Sequence, residues 1–436
     1  MQTRDAAWIA EAVGARLLAA VPERDGDPGP SRIVIDSRAV GPGDLFVGLV
    51  GEHRDGGAFA AQALAAGAWG VLVRPQHADM ARRGRPGVVL ATEDPLGALQ
   101  RLATRWRREL GATVIGVTGS TGKTSTKDLL RGMLEPHRRV IATEQNLNTE
   151  IGLPLTILGA PAGTEVLVLE MAMRGAGQIA ELVEIAEPDV GVVVNVGPVH
   201  LELLGSVEAI AATKAELIRD LPAHGTAVLP AGETLLEPHL RPDITTVTFG
   251  AGGDVDELPG GLTLPFDSAH MRLNALAALA AARAIGVEPA GAVRVALSRL
   301  RGERIELQRG VVVVNDCYNA NPMSMRAALD DLAETAAGRR VAVLGDMLEL
   351  GPQERHFHAE LGDHARASGV ELLVTVGDLA AEAGAGTGGE AHNVRTATEA
   401  AKLLPSLLQP GDTVLVKGSR GVGLEVVAEA LEAQEA

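Results

Sequence analysis

The chain has 436 residues, more than one core usually holds, and 46% are hydrophobic, enough for two or three packed domains. Its formal charge of −17 argues against nucleic acid or an anionic membrane as a general partner, so an anionic ligand would need local basic loops. One cysteine, Cys317, excludes an internal disulfide and fits a reducing compartment.

No apolar run reaches transmembrane length, and no signal-like apolar core follows Met1-Gln2-Thr3-Arg4-Asp5. A cytoplasmic protein without membrane insertion is expected. The 52 glycines and 23 prolines fall short of the roughly 25–30% that marks low-complexity chains.

Residues 1–110 alternate short helices and strands. Helices are expected over Ala6 to Leu18, Phe59 to Ala66 and Pro95 to Leu110. Strands are expected over Arg32 to Ile35, Asp44 to Leu49 and Gly70 to Val73. Two polar clusters follow strands, Asp36-Ser37-Arg38 and the run from Gly51 to Gly56. Spacing alone reads both as turn chemistry, although ligand loops sit in such places.

From Gly111 the pattern becomes βα repeats. The run Val114 to Val117 reads as a buried strand, and Thr124 to Leu134 as a helix. Between them lies Gly119-Ser120-Thr121-Gly122-Lys123-Thr124. Glycines let successive N–H groups turn inward on phosphate oxygens, and the helix N-terminus adds partial positive charge. Lys123 can reach terminal phosphates and Thr124 can ligate Mg²⁺. The general phosphate-loop pattern wants a further glycine where Val117 stands, so a plain Gly-rich turn is the alternative.

The runs Glu165 to Leu169 and Val190 to Val194 show no polar alternation, which implies strands of a parallel sheet covered on both faces. Glu170 ends the first, and Asn195 and His200 follow the second. Ligands of open α/β sheets gather at the carboxyl ends of strands. Lys123, Glu170 and His200 are therefore expected to converge, with Mg²⁺ suited to hard oxygen ligands and phosphate.

Ser206 is a candidate N-cap for a helix from Val207 to Leu221. On pattern alone its Lys214 is an exposed helix lysine. The helix from Ser268 to Ile285 places His270 and Asn274 on one face, and Asn274 reads as a surface polar residue. After Arg304 the βα rhythm restarts. Strands are expected at Val311 to Val314, Val341 to Leu344, Leu372 to Val376 and Thr413 to Val416. Helices follow at Ser324 to Thr335, Gln353 to Ala367, Thr396 to Leu408 and Leu424 to Leu431. No GxGxxG opens this unit, which argues against a dinucleotide.

The fold class expected is α/β in three domains: a small α/β N-terminal domain (1–110), a central P-loop ATPase-like parallel-sheet domain (111–303) and a C-terminal Rossmann-like doubly wound domain (304–436).

These motifs together resemble the Mur ligase family of ATP-dependent amide-bond-forming enzymes over the whole chain. The family's shorter phosphate loop, Thr-Gly-x-x-Gly-Lys-Thr, is matched by Thr118 to Thr124, which accounts for Val117; Ser125 follows where threonine is common. The resemblance implies ATP contacts from Gly119, Ser120, Thr121, Gly122, Lys123, Thr124 and Ser125. It adds Asn274 for adenine, Arg304 near the phosphates and Asp316 for ribose. It implies Mg²⁺ held by Thr124 and Glu170, with His200 and a carbamylated Lys214 at a second metal. Lys123, His200, Lys214 and Arg304 are the implied catalytic set.

Asn315 to Pro322 and Gly345 to Gly351 look like signatures of the D-alanyl-D-alanine-adding members, and the Asp-Asn-Pro-Arg motif of diaminopimelate-adding relatives is absent. That resemblance implies Asn319, Asn321 and Asp346 at the dipeptide. It implies Ser37, Arg38, Asn146, Asn148 and Thr149 at a UDP-N-acetylmuramoyl-tripeptide. A monomer is expected, working through an acyl phosphate. Two departures from the family pattern are Met271, where asparagine is usual, and Gly57, where histidine is usual.

Overall fold

The computed structural model describes residues 4–19, 29–83, 86–266, 268–295, 298–385 and 389–433. Three large sheets follow one another along the chain. The first holds β1 (Arg16–Ala19), β2 (Arg32–Val34), β3 (Asp44–Val47), β4 (Gly70–Val73) and β5 (Val88–Ala91), ordered β1-β5-β4-β3-β2. Only β1 runs antiparallel to its neighbour.

The second sheet holds β6 (Thr113–Thr118), β7 (Val140–Ala142), β8 (Val166–Glu170), β9 (Val190–Val193), β10 (Thr226–Pro230) and β11 (Thr245–Phe249). All six are parallel in the order β11-β10-β9-β6-β8-β7. A short pair, β12 (Leu262–Thr263) and β13 (Gly291–Ala292), stands apart. The third sheet holds β14 (Glu303–Glu306), β15 (Val312–Asn315), β16 (Arg340–Gly345), β17 (Leu372–Val376), β18 (Glu390–Val394) and β19 (Thr413–Lys417), ordered β14-β15-β19-β16-β17-β18. Only β14 is antiparallel there.

The continuous apolar strands are buried along their length, as a sheet covered on both faces requires. The core under the first sheet continues without a break into the second. Leu45, Leu72 and Leu90 pack with Leu102 and Trp106 of the helix Pro95–Leu110, and these with Ile157, Leu167 and Val193. Arg107 of that helix caps the carbonyls of Ala186 and Glu187 at 2.9 and 2.6 Å. The third sheet has its own core on each face.

On the other side of the central sheet the helices Lys123–Leu134 and Ala269–Ala284 pack together. The second is alanine-rich from Ala275 to Ala282, with Leu276 and Leu279 inside the run, and small side chains allow a close approach. Among the described residues no helix is long and apolar enough to cross a membrane.

Several elements end differently from the expected pattern. The first helix stops at Val13, because Gly14 takes a left-handed conformation (φ 64°), and residues 16–19 become β1. The helix begun by Ser206 breaks at Ala215 into Val207–Lys214 and Glu216–Arg219. Pro405 turns the end of the helix Ala397–Leu403 into a 3₁₀ turn. Strands β14 and β18 had no apolar signature, because they are charged edge strands. Part of the Gly-rich stretch 384–389 lies outside the described residues.

Candidate active site

Strand β6 sits where the order of the central sheet reverses, with β8 on one side and β9 on the other. That is where an open α/β sheet leaves a crevice. The phosphate loop leaves β6 there. Gly122 takes φ 76° as the residue before the helix Lys123–Leu134, and a Cβ on it would stand 2.5 Å from Asn274 Oδ1. Only glycine fits this turn beneath Asn274. Asn195, past the end of β9, pins the loop by accepting from Thr121 N at 2.9 Å and, through its own carbonyl, from Ser120 N at 3.1 Å.

Glu170 closes β8 and is 1% exposed. Its carboxylate accepts from Thr124 Oγ1 and Asn148 Nδ2, each at 2.8 Å. Its N–H donates to Thr143 Oγ1 at 3.0 Å. Lys123 folds back on its own loop, donating to the Gly119 carbonyl at 2.8 Å. Burial pushes its amine below the ordinary lysine value, Glu170 opposes that shift, and Arg301 adds to it.

A cleft of about 1510 Å³ opens over this loop and extends to the third sheet. It exceeds the roughly 300–1,000 Å³ of a single-ligand pocket, so it has room for more than one substrate. Gly119 to Ser125, Asn146, Asn148, Thr149, Glu170, His200, Lys214, Asn274, Arg304, Asp316, Asn319 and Asn321 all line it. The sequence therefore anticipated the convergence of Lys123, Glu170 and His200.

Two residues that pattern placed on surfaces are inside. Lys214, the last residue of its helix, is 2% exposed, and Asn274 is 5% exposed. The Lys214 amine has no hydrogen bond or ion pair among the described residues, and the residue lines the cleft. Burial, and then Lys123, push it well below the ordinary lysine value.

His200 stands in the left-handed region at φ 52° and hydrogen-bonds through Nδ1 to Glu349 of the third-sheet unit. Burial lowers its pKa, and Glu349 works against that shift. Asp316, just after β15, receives a bond of 2.6 Å from Lys417, which closes β19 and is 3% exposed. Arg304 lies on β14 and donates to Thr335 Oγ1 at 2.5 Å.

Other expected contacts are redirected. Asp346 is not in the cleft. Its Oδ1 accepts from the N–H groups of Leu379 and Ala380 at 3.1 and 2.7 Å, which makes it a turn-holding carboxylate. The Asn321 side-chain oxygen Oδ1 is occupied, accepting from Ser324 N at 2.9 Å as the N-cap of the helix Pro322–Thr335. Ser37 and Arg38 lie outside the cleft as well, in the turn after β2, and Arg38 is paired with Asp36 at 2.8 Å. That pairing holds the Asp36 carboxyl down at about 2.

The departure at Gly57 has a spatial counterpart. A Cβ there would stand 2.5 Å from His77 Cδ2, and the His77 ring lies 3.0 Å from Asp55. An imidazole from another helix thus occupies the space beside Gly57.

Sequence reasoning passed over three cleft residues. Arg301 stacks 4.0 Å over the Tyr318 ring and brings a second guanidinium toward Lys123. Lys417 and Glu349 complete the set. Lys417 is the polar residue that closes β19. Glu349 lies inside the signature run Gly345 to Gly351, but nothing local marked it as the partner of His200, 149 residues away.

Family models match three stretches: the Mur ligase family catalytic domain at residues 31–107, the Mur ligase middle domain at 117–282, and the Mur ligase glutamate ligase domain at 300–420. A UDP-N-acetylmuramoyl-tripeptide–D-alanyl-D-alanine ligase of Synechocystis is 38% identical over 423 residues, covering 93% of this chain and 92% of its own length. The Bacillus subtilis enzyme of the same name is 36% identical over 92% of both chains. Among solved structures, MurF of Acinetobacter baumannii superposes with a TM-score of 0.87 at 29% identity, over 99% of this chain and 100% of that one. MurF of Thermotoga maritima in complex with ADP gives 0.81 at 32% identity, over 92% and 97%. With this sequence likeness running along almost the full length of all three units, the chain belongs to the Mur ligase family.

Proposed function

We infer that this protein joins D-alanyl-D-alanine to UDP-N-acetylmuramoyl-tripeptide in an ATP- and Mg²⁺-dependent reaction of peptidoglycan precursor synthesis. One observation carries the reading: the phosphate loop and the carboxylate of Glu170 share a single cleft with the strand ends of the third sheet. A carboxylate must become an acyl phosphate before an amine can displace phosphate from it, and that transfer depends mainly on alignment and charge neutralisation.

The residues fit both implied groups. The bare Gly122 turn and the helix N-terminus that begins at Lys123 suit a polyphosphate. No cluster of three His, Cys, Asp or Glu side chains occurs among the described residues, so no all-protein metal cage exists there. Mg²⁺ does not need one, because it is commonly held by one or two carboxylates plus phosphates and water. Thr124 and Glu170, 2.8 Å apart, would hold it, and His200 and Lys214 would face a second ion. When bound, Mg²⁺ offsets the repulsion between phosphate oxygens and the substrate carboxylate.

In the working arrangement Lys123 stabilises the transferring phosphoryl charge, with Arg304 beside it. Asn274 and Asp316 take the adenosine from opposite sides. Asn148 aligns Glu170, while Asn146 and Thr149 meet the muramoyl substrate, whose nucleotide is bound by the first domain at Ser37 and Arg38. Asn319 and the backbone around Asn321 face the incoming dipeptide. Residues 1–110, 111–303 and 304–436 thus divide the work into acceptor, ATP and amine. We propose that the protein works as a monomer in the cytoplasm, where peptidoglycan precursors are assembled.

The test is phosphate release from ATP with each substrate omitted in turn. Release that needs both UDP-N-acetylmuramoyl-tripeptide and D-alanyl-D-alanine is expected. Release with a folate and glutamate instead, or without any amine, overturns the assignment.

A further inference from the structure

Glu349 makes the only cross-sheet contact to His200 found among the described residues, and the backbone at both ends is unusual. His200 sits at φ 52° and Glu349 at φ 64°, both in the left-handed region that non-glycine residues rarely occupy. Such outliers persist only where their surroundings hold them, and they cluster at functional sites. Here the two segments hold each other. Glu202 N donates to the Glu349 carbonyl at 3.2 Å. Gly351, at φ 67°, lies so close that a Cβ on it would stand 3.3 Å from Glu202 Cα. Arg174, beyond the end of β8, reaches within 3.6 Å of Glu349 Oε1.

The hydrogen bond has a chemical consequence. Glu349 Oε2 can only accept from Nδ1 of a neutral imidazole, so the ring proton lies on Nδ1 and the Nε2 lone pair stays free. A carboxylate placed this way orients a ligating histidine and raises its basicity. We propose that Glu349 is a positioning residue: it reaches from the third-sheet unit to fix the tautomer and direction of His200, so that the metal-facing imidazole is ready only when the two units are together. The inference rests on the reading of His200 as a metal-facing residue. It adds that domain approach and readiness of the ion site are one event.

The experiment uses the full-length enzyme as wild type, Glu349→Gln, Glu349→Ala and His200→Gln. With ¹⁵N-histidine labelling, the His200 ring is identified as the resonance pair missing from His200→Gln. Wild type should show an Nδ1–H imidazole, and Glu349→Ala should shift it toward the Nε2–H form. Mn²⁺ binding, followed by electron paramagnetic resonance with an ATP analogue present, should weaken about 10- to 100-fold in Glu349→Ala at the site that His200→Gln also weakens. Ligation should show a matching fall in kcat, while KM for either peptide substrate changes less than about threefold. Glu349→Gln, which can still hydrogen-bond, should be intermediate.

An unchanged His200 tautomer and unchanged Mn²⁺ binding in Glu349→Ala overturn the proposal. If His200→Gln itself binds Mn²⁺ and ligates normally, the metal-facing reading of His200 fails first. If His200→Gln is impaired and Glu349→Ala is normal, only the role of Glu349 fails.

Discussion

Replacing Lys214 by methionine should make the protein more stable and inactive at the same time. The side chain is 2% exposed and its amine is unpartnered among the described residues. Burying a polar group without a compensating hydrogen bond costs about 1–3 kcal/mol, an upper bound for an amine at the wall of the cleft, and methionine keeps most of the side-chain volume without the amine. In CO₂-free buffer near neutral pH, Lys214→Met should therefore gain up to about 1–3 kcal/mol in denaturant unfolding.

The gain has a definite pH dependence. Burial depresses the amine in the folded chain, so below an unfolded value of roughly 10.4 the unfolded chain binds the proton first. Wild-type stability falls as pH drops from there toward the depressed value, and the advantage of Lys214→Met grows over that window. The same depression enlarges the neutral, nucleophilic fraction of the amine at working pH. It can add to CO₂, lose a proton to solvent and become an anionic carbamate with two acceptor oxygens. Nearby divalent cations favour that anion.

Loss of this ligand should cost ligation at least about 10²-fold. Lys214→Ala, which leaves the space empty, should regain part of the loss with acetate. Lys214→Arg should stay inactive, because it fixes a positive charge. Incorporation of ¹³CO₂ in wild type, absent from Lys214→Met, reads the modification directly. An active wild-type enzyme that takes up no label refutes the carbamate. A Lys214→Met protein less stable than wild type refutes the burial argument.

Lys123→Ala should abolish ligation, by about 10²- to 10³-fold or more, with little change in melting, since its amine bonds only within its own loop at 2.8 Å. Substantial ligation by the folded variant would refute its phosphate role. Arg38→Ala should raise KM for the UDP substrate well beyond that for D-alanyl-D-alanine in steady-state assays, and the reverse order would mean the domain roles are exchanged. His358 is fully buried, accepts from Met347 N at 2.9 Å, and is pushed below the ordinary histidine value by that burial. The unfolded chain takes up its proton first, so stability present above about pH 6.5 should fall toward the depressed value, with a slope of up to about 1.4 kcal/mol per pH unit. His358→Gln should flatten that acid limb in pH-dependent denaturant unfolding, and an identical slope would exclude His358 as its source.

The phosphate loop was legible because its chemistry is written in seven consecutive residues. Glycine at position 122, lysine at 123 and threonine at 124 each answer a local demand of turn, charge and hydroxyl. Apolar runs such as Leu372–Val376 were legible because a strand buried on both faces needs no alternation. What failed to show was set by tertiary context. Lys214 obeys the helix period of a surface residue, yet the folded chain leaves it only 2% exposed. Asp346 ends a strand as a ligand residue would, but spends an oxygen on two backbone N–H groups instead. Edge strands β14 and β18 lack the apolar run of the central strands, because polar side chains on an edge discourage further pairing.

The distribution of apolar contact explains why catalysis and domain approach belong together. The first sheet and the central sheet share one continuous core through Leu102 and Trp106, so separating them would expose apolar surface along the whole helix Pro95–Leu110. The third sheet shares no such core with them. It meets the central unit at the cleft through polar contacts, chiefly His200 with Glu349 and Glu202 with Glu349, through the tight seat of Gly351, and through Met323 packed on Gly197. Polar contacts exchange for water at little net cost, about 0.5–1.5 kcal/mol each, so this seam can open while the other stays shut. On the proposed reading, the phosphate loop and the first-sheet unit would move as one body, and the strand ends of the third sheet would move against it. Opening admits two anions and a dipeptide to a cleft larger than one ligand requires. Closing excludes water from the acyl phosphate, whose hydrolysis would otherwise compete with attack by the amine.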